Sequence, residues 1–348
     1  MENAGEIMAD DELPGLEPGS DTVAKLRERI EINEQRETLT AAQCRLLDQS
    51  AVIFAAPATK QDAAYLPREL VQVTLPHKNP GNVPVWTRSN GNLTVGIQPG
   101  MNLTTRDSYG YPYGTVPRLL LFWITTEAVR TKSPRLELGN SLRGFMAELG
   151  LNSSNGGTGA KRSDARRLRN QMERLFRARI TFQGTPERNG QSGEARLDML
   201  VVSASELWWS IKDPDQTALW GSWIELGDKF FDAITAYPVP ADFRALRALK
   251  SSALALDLYA WLNYEAFRAH RSRKPRFENW RQLHAHLGAE YARPGDFRRK
   301  AKAALRKIKT VYPGLKLGDK QGGIQVLPES WPAIQPRDMT IDGTCKAV

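Results

Sequence analysis

Apolar residues recur every three or four positions in two long stretches of the chain. The first stretch runs from Pro117 to about Lys132, and the second runs from Ser251 to His270. Because an α-helix turns once in 3.6 residues, this spacing gathers the apolar side chains on one face. The pattern predicts two long helices that pack into a core.

Each long helix is followed by the same series of predicted elements. A short helix ending in Leu-Gly comes next, from about Ser141 to Leu149 in the first series and within "RFENWRQLHAHLG" in the second. A loop, a basic helix and two strands then follow in both series. The strands are "RITFQG" and "ARLDMLVVSASELWW" in the first, and "LKLGD" and "GIQVLP" in the second. Order and spacing therefore indicate an internal duplication.

The part of the chain before the first long helix has a different pattern. Residues 1–20 are rich in Glu, Asp, Gly and Pro, a composition typical of disorder. Four elements are expected after them: a helix from Asp21 to Gln49, a linker at residues 57–67, a strand at Leu70–Leu75, and a hairpin whose strands Val83–Thr87 and Leu93–Ile97 flank Asn90-Gly91.

A long helix, a short helix, a basic helix and a β-hairpin occur in this order in a winged helix-turn-helix. We therefore predict an α+β fold with two tandem winged-helix domains. The expected boundaries are an acidic, partly helical extension at residues 1–68, a first domain at 69–235, a second at 236–330 and a tail at 331–348. The region Leu70–Ile97 either completes the sheet of the first domain or mediates dimerisation, and the sequence does not rank these alternatives.

The charge of the chain is unevenly distributed. The net charge is +9, but residues 1–40 hold eleven acids and four bases. Residues 241–320 hold nineteen Lys or Arg and seven Asp or Glu. Such a concentration suits a polyanion, because neutralised phosphates release their condensed counterions. Nucleic acid is the leading partner class. An acidic membrane surface is the alternative, but the sequence has no basic amphipathic helix with exposed Trp or Phe to support it. The longest apolar stretches also fall far short of the ~20 residues that span a bilayer.

Both basic helices combine an apolar stripe with a charged face, which suits a helix that packs on one side and contacts DNA on the other. The guanidinium fork of Arg matches guanine O6 and N7, whereas Lys mainly contacts phosphates. In the second helix and its hairpin the candidate DNA-binding residues are Arg298, Arg299, Lys300, Lys302, Arg306, Lys307, Lys309 and Lys320. In the first helix they are Arg166, Arg167, Arg169 and Arg174. The second helix is expected to be the principal base-contacting element.

Enzymatic chemistry has little support in the sequence. His284 and His286 match a His-hydrophobe-His metal motif, but two ligands at this spacing converge only on a strand, and this segment is predicted to be helical. The loop "SSNGGTGAKRS" lacks the Gly-Lys-Ser/Thr ending of a phosphate-binding loop. Cys44 and Cys345 lie far apart, without further Cys or His at ligand spacing. We expect no catalytic residue, no metal and no cofactor.

Two further features bear on location and on single-stranded DNA. The two distant cysteines argue against a disulfide framework, and no secretory signal is visible, so a cytoplasmic location is expected. Four tryptophans could form a stacking platform for single-stranded DNA, although their alternating or amphipathic segments favour core packing. They are Trp208, Trp209, Trp220 and Trp223.

Two segments carry a resemblance to a known family. "YGYPYGTVPRLLLFWITTEAVRTKSPRLELGNSLRGFMAELGL" and "RLRNQMERLFRARITF" resemble the plasmid-encoded RepA replication initiators. The similarity is strongest from about Tyr109 to Ile234 and continues more loosely to about Pro328. It implies binding to repeated double-stranded origin sequences (iterons), help in opening the duplex, and recruitment of a host replication initiator and helicase.

The same resemblance leaves three points open. The protein binds DNA either as a monomer or as a homodimer formed through the first domain. A winged-helix transcriptional repressor would use the same fold and the same basic helices, and a metal-dependent origin nickase is a more distant alternative. The duplication favours an initiator over a repressor, because simple repressors usually gain their second half-site by dimerising.

Overall fold

A computed structural model describes residues 40–139, 141–151, 164–185, 187–188, 191–208, 221–288 and 290–334. By its internal contacts the chain divides into Met1–Asp48 and Gln49–Val348, and the elements from Lys60 onward belong to the second unit. The predicted disorder of residues 1–20, most of the helix predicted from Asp21, and the end of the tail lie outside the described residues.

Helices and antiparallel sheets alternate along the chain, so the expected mixture of α and β structure is confirmed. The helices are α1 Ala41–Ala55, α2 Arg68–Gln72, α3 Thr115–Thr131, α4 Leu142–Glu148, α5 Asp164–Phe176, α6 Asp228–Ala236, α7 Phe243–Leu249, α8 Ala253–Ser272, α9 Trp280–Leu287 and α10 Pro294–Lys309. A short 3₁₀ turn covers Lys60–Asp62.

The strands are β1 Ala63–Pro67, β2 Trp86–Asn90, β3 Leu93–Gln98, β4 Arg135–Glu137, β5 Arg179–Gly184, β6 Glu187–Arg188, β7 Gln191–Ser192, β8 Ala195–Leu200, β9 Val202–Glu206, β10 Trp223–Leu226, β11 Pro238–Asp242, β12 Arg276–Asn279, β13 Leu317–Gly318 and β14 Gly323–Val326. They form sheets in the orders β1-β11, β2-β3-β5-β8, β4-β10-β9, β6-β7 and β12-β14-β13.

The two predicted long helices are present as α3 and α8, and they are the most buried elements of the core. Both carry apolar side chains around most of their circumference, which is the pattern of a helix enclosed by the protein. The hydroxyl of Ser252 caps α8 by accepting a hydrogen bond from the N–H of Ala255 at 3.2 Å. Both helices end at a residue in the left-handed conformation, Lys132 with φ 55° and Arg273 with φ 54°.

The structure also shows the same order of elements twice. In the first series α3, β4, α4 and α5 are followed by β9 and β10, and in the second α8, β12, α9 and α10 are followed by β13 and β14. Each three-stranded sheet has the order first, third, second strand. The turn after each long helix is similar in sequence as well, "RTKSPRLE" against "RSRKPRFE".

The hairpin predicted directly after the first basic helix is placed differently. β5 and β8, which carry "RITFQG" and the start of "ARLDMLVV", belong to the four-stranded sheet instead of the sheet that contains β4. β3 pairs with β5 because its buried Val95 and Ile97 lie opposite Phe182 and Ile180. β9 and β10 take the hairpin's place beside β4. The two strands predicted on either side of Asn90-Gly91 are β2 and β3, and they complete the four-stranded sheet that contains β5 and β8.

Three smaller predictions differ from the structure. Leu70–Leu75 overlaps the short helix α2, because its buried Leu70 and Val71 are adjacent and not alternating. The predicted linker at residues 57–67 contains β1, which pairs with β11. "RFEN" forms strand β12 and is not the first turn of a helix; the side chain of Asn279 caps α9 by accepting from the N–H of Gln282.

Candidate nucleic-acid interface

The second basic helix, α10, is held against the core by one narrow stripe. Phe297, Ala301, Ala304 and Ile308 are buried, and the helix packs against α8. Pro294 occupies the first turn, where its missing N–H leaves no hydrogen bond unmade. This fixation orients the rest of the helix surface outward.

Seven bases and a single acid, Asp296, occupy α10. All seven bases are exposed: Arg298, Arg299, Lys300, Lys302, Arg306, Lys307 and Lys309. At 100° per residue, Arg299, Lys302 and Arg306 lie opposite the buried stripe, and the others flank them on both sides. Arg299 donates to Asp296 at 3.2 Å, one turn earlier on an exposed face. The helix therefore presents a nearly continuous cationic surface.

Lys320 lies in the turn between β13 and β14, next to this helix in the chain. Its side chain is exposed, and Nζ is 4.3 Å from the centre of the Phe277 ring. The ammonium group is thereby held close to the sheet while it stays in contact with solvent. The hairpin and α10 supply cations from two separate elements.

The first basic helix, α5, is also built around a buried stripe, which includes Leu168, Met172 and Leu175. Arg166 and Arg167 are exposed, and Arg167 pairs with Asp164 at 3.1 Å. Arg169 is half-buried and lies 4.0 Å from Glu173. Helix α5 contains four bases and two acids, so its net positive charge is much smaller than that of α10.

Arg174 differs from the other candidates on α5. Its Nη1 donates to the carbonyl of Tyr111 at 3.2 Å, its Nε donates to Asn170 at 2.6 Å, and the guanidinium lies 5.3 Å from the centre of the Tyr113 ring. It ties the helix to the loop that precedes α3. A DNA contact by Arg174 remains a prediction, and the guanidinium group would have to make it while it is held by Tyr111 and Asn170.

Sequence patterns did not reveal a buried charged network that joins the two series of elements. Arg118 near the start of α3 donates to both carboxylate oxygens of Asp257 near the start of α8, each at 2.7 Å. His77 Nε2 donates to the same carboxylate at 2.8 Å. Beside it, Arg88 is hydrogen-bonded to Glu290. A charged residue within an apolar helix, such as Arg118, was the available signal, but its partner lies 139 positions away.

Electrostatics in this network follow from burial and pairing. Burial alone would raise the pKa of Asp257, but the charge of Arg118 and the hydrogen bonds from His77 and Arg118 hold it well below its usual range. Burial lowers the pKa of His77, and its hydrogen bond to Asp257 only partly offsets this. At neutral pH the network therefore contains two ion pairs, Arg118 with Asp257 and Arg88 with Glu290, and a neutral imidazole hydrogen-bonded to Asp257.

His284 and His286 lie on helix α9, as predicted, so their side chains leave the helix in different directions. His286 is buried, and neither ring nitrogen has a hydrogen-bond partner among the described residues. His284 lies 3.1 Å from the carbonyl oxygen of Tyr291. Among the described residues no group of three or more His, Cys, Asp or Glu is placed to hold a metal ion.

The tryptophans are less buried than expected. Trp208 is 57% exposed, so the prediction that it packs in the core is wrong. It lies two residues after the end of β9 and not on the inner face of a strand. Trp223 is half-buried, and Arg135 stacks on its ring at 4.0 Å. Trp209 and Trp220 lie outside the described residues.

Residues 111–282 match the family model described as plasmid-encoded RepA protein. The matched region belongs to this family. The predicted resemblance is thereby confirmed over α3, α5 and α8, whereas α10 begins after the matched RepA region ends. The cationic surface of this RepA-family chain therefore has one helix inside the matched region and one beyond it.

Two solved structures are similar to the RepA-family chain. A structure of domains 2 and 3 of RctB, determined from selenomethionine derivatives, is 12% identical with a TM-score of 0.42, covering 72% of this chain and 93% of the other. A second structure of RctB domains 2–3 is 11% identical with a TM-score of 0.38, covering 74% and 94%. No curated protein matches the chain. No helix among the described residues is long and apolar enough to cross a bilayer.

Proposed function

We propose that this RepA-family chain is a cytoplasmic plasmid replication initiator that binds repeated double-stranded sequences at a plasmid origin through two winged-helix units. The observation that carries the proposal is the surface of α10, where seven exposed bases surround a core-packed helix that is followed by a hairpin. The order first, third, second strand in both three-stranded sheets supports two units of one type.

In the proposed complex α10 lies in the major groove. Arg299 and Arg306 lie opposite the buried stripe, where their guanidinium forks can match guanine O6 and N7, and Lys302 between them contacts a phosphate. Lys320 on the hairpin contacts the flanking backbone. Arg166, Arg167 and Arg169 on α5 contact a neighbouring groove or backbone, with a smaller share of the binding free energy because α5 carries less net charge.

Steps after binding rest on the family resemblance alone. We propose that the bound protein bends and destabilises an adjacent AT-rich duplex, because protein–DNA contacts can offset the cost of deformation. A host initiator and helicase then load on the opened strands, and dimerisation through the first unit regulates copy number. In this proposal the chain is no enzyme and needs no metal or cofactor.

The direct test reverses charge on the face of α10. Arg298→Glu, Arg299→Glu and Arg306→Glu together should abolish specific binding to the DNA that flanks the gene, because three attractive contacts become repulsive. These side chains are exposed, so the fold should be unchanged. Gel shifts and footprinting measure binding, and circular dichroism checks the fold.

A matched triple variant provides the control. Lys78→Glu, Lys229→Glu and Lys274→Glu make the same change in net charge at exposed positions outside both basic helices. It should reduce non-specific binding slightly and keep the footprint. If the α10 variant keeps its footprint as well, α10 is not the base-contacting helix.

A repressor would bind DNA with the same surface, so a genetic transfer test separates the two functions. The gene is supplied in trans to a plasmid that carries only the cognate origin. Maintenance of that plasmid supports the initiator, whereas promoter repression without replication supports the repressor. Cleavage of supercoiled origin DNA with a divalent metal would instead support a nickase.

A further inference from the structure

A groove of about 1160 Å³ lies between the β1–β11 ribbon and the carboxyl-terminal half of α8. None of its lining residues belongs to the candidate DNA-binding set. Pro332 and Ile334 close one side, and Tyr65 of β1 lies on another. The groove is therefore a second concave surface, which the proposed DNA binding does not use.

Most of the groove surface is apolar or aromatic. The apolar lining residues include Tyr65, Tyr237, Val239, Tyr264, Phe267 and Ile334. Tyr237 is 65% exposed, so much of its ring surface is available to a ligand. Such a surface favours a ligand that contributes aliphatic or aromatic side chains.

The ribbon edge cannot accept an added β-strand in the usual way. The N–H of Asp242 points away from β1, since it donates to the hydroxyl of Tyr259 at 3.2 Å. Pro238 and Pro240 lie four and two positions before Asp242 on β11, so their backbone nitrogens also point away from β1. Proline has no N–H, and these two positions therefore cannot donate to an added strand. A ligand in this groove must therefore be recognised mainly through its side chains.

Five cations border this apolar surface. Arg68 pairs with Glu69 at 2.9 Å, and Glu265 accepts from Arg268 at 2.8 Å and from Arg276 at 3.1 Å. The other two cations, Lys60 and Arg271, are exposed and form no ion pair with any described residue. Lys60 and Arg271 can consequently attract two carboxylates, while Glu69 and Glu265 compensate part of the charge of the other three cations.

The arrangement favours a peptide over a nucleic-acid strand. Five cations and two acids leave a charge of +3 along the groove, far less dense than a phosphate backbone requires. Arginines already cover one face of the Tyr237 and Tyr264 rings, with distances to the ring centres of 4.9 and 5.3 Å. Base stacking would compete with these cation–π contacts, whereas aliphatic side chains need only the apolar floor.

We propose that the groove between β11 and α8 is a docking site for an acidic segment of a partner protein, in which aliphatic or aromatic residues are flanked by Asp or Glu. The apolar residues fill the floor, and the carboxylates pair with Lys60 and Arg271 at the rim. This inference goes beyond the proposed function and does not depend on it.

The test uses the full-length protein and fluorescently labelled peptides of about twelve residues. One set alternates Glu with Leu or Trp at extended or helical spacing, and matched sets carry Lys in place of Glu or Ser in place of Leu and Trp. Fluorescence polarisation should show binding of the acidic apolar set alone. Lys60→Glu with Arg271→Glu should weaken it by about tenfold or more, since two attractive rim charges are reversed.

Two variants make the result specific. Tyr237→Ser removes exposed apolar area and should weaken the acidic peptides without a change in rim charge. Lys274→Glu makes the same charge change as Arg271→Glu three residues away, outside the groove, and should leave binding unchanged. All variants should keep their circular dichroism spectra and their footprint on origin DNA, which separates failure of this proposal from failure of the proposed function.

Three outcomes would overturn the proposal. The first is that no acidic peptide binds more tightly than its Lys counterpart. The second is that labelled oligothymidylate binds with the same sensitivity to Lys60→Glu and Arg271→Glu, which would make the groove a site for single-stranded DNA. The third is that these substitutions abolish self-association of the protein in sedimentation experiments, which would make the occupant a second copy of the chain.

Discussion

His286 shows how a single buried residue couples the fold to pH. It is 1% exposed on the inner face of α9, and neither ring nitrogen makes a regular hydrogen bond with a described residue, although the backbone of Gln72 is close enough to oppose the lowering of its pKa. Burial, followed by the charge of Arg88, lowers its pKa from 6.5 to about 4. The imidazole is therefore neutral in the folded protein at neutral pH.

The sign of the resulting pH dependence follows from this shift. Because the unfolded chain binds the proton more tightly, the stabilisation is fully present above pH 6.5 and declines as the pH falls towards 4, by about 1.4 kcal/mol per pH unit. His286→Leu should flatten this slope, and it should largely keep stability at pH 7 because a buried ring without a regular hydrogen bond is replaced by an apolar side chain. Urea unfolding at several pH values measures both effects.

The neighbouring imidazole gives a matched comparison for this prediction. His284→Leu removes a half-buried ring that contacts the carbonyl of Tyr291, and the acid-dependent loss should persist in that variant. Part of the slope should also persist in His286→Leu, since burial lowers the pKa of His77 as well. An unchanged slope in His286→Leu would show that its protonation is not linked to unfolding.

At the scale of elements, α10 and its control positions give a quantitative prediction about DNA binding. Neutralising one phosphate-contacting cation should reduce the slope of log K against log salt by about 0.9. We expect Lys302→Gln to show this reduction with its sequence preference retained, and Lys274→Gln to show none. Titrations of origin DNA between about 50 and 200 mM salt are sufficient. An unchanged slope for Lys302→Gln would remove this lysine from the interface.

Elements defined by local patterns were predicted well. Helical spacing located α3, α8 and both basic helices, and the apolar stripes that hold α5 and α10 against the core are buried. Asn90-Gly91 located the turn between β2 and β3, where Gly91 has φ 55°. These signals succeed because hydrogen bonds and side-chain spacing within one segment determine them.

Pairings between distant segments could not be predicted in this way. The choice of β3 as the partner of β5 depends on side chains about 85 residues apart, and β1 pairs with β11 across about 175 residues. The same limit hid the groove, whose lining combines Tyr65, Tyr237 and Phe267 from three elements. The cationic surface of α10 was accessible to sequence analysis because one helix contains all of it except Lys320.

At the scale of the whole molecule, the ion pair of Arg118 and Asp257 joins the two series of elements, because it links residues near the starts of α3 and α8. Both side chains are almost completely buried, and Arg118 also donates to the carbonyls of Pro76 at 3.1 Å and Leu75 at 2.7 Å. Removing one partner leaves the other charge buried and uncompensated, which typically costs about 3–5 kcal/mol. Replacing both partners by apolar residues usually costs much less.

Asp257→Asn should therefore destabilise the two long helices together. Hydrogen exchange of the amides in both α3 and α8 should accelerate, and the melting temperature should fall far more than for Asp198→Asn, which breaks the surface pair with Arg196. Because the pKa of Asp257 lies below its unfolded value, the contribution is fully present above about pH 4 and is lost as the pH falls further. Faster exchange confined to α8 would mean that the two series are stabilised independently. In that case the double variant Arg118→Met with Asp257→Leu should restore protection of the amides in α8 alone. If the pair couples them, this double variant restores protection in both helices.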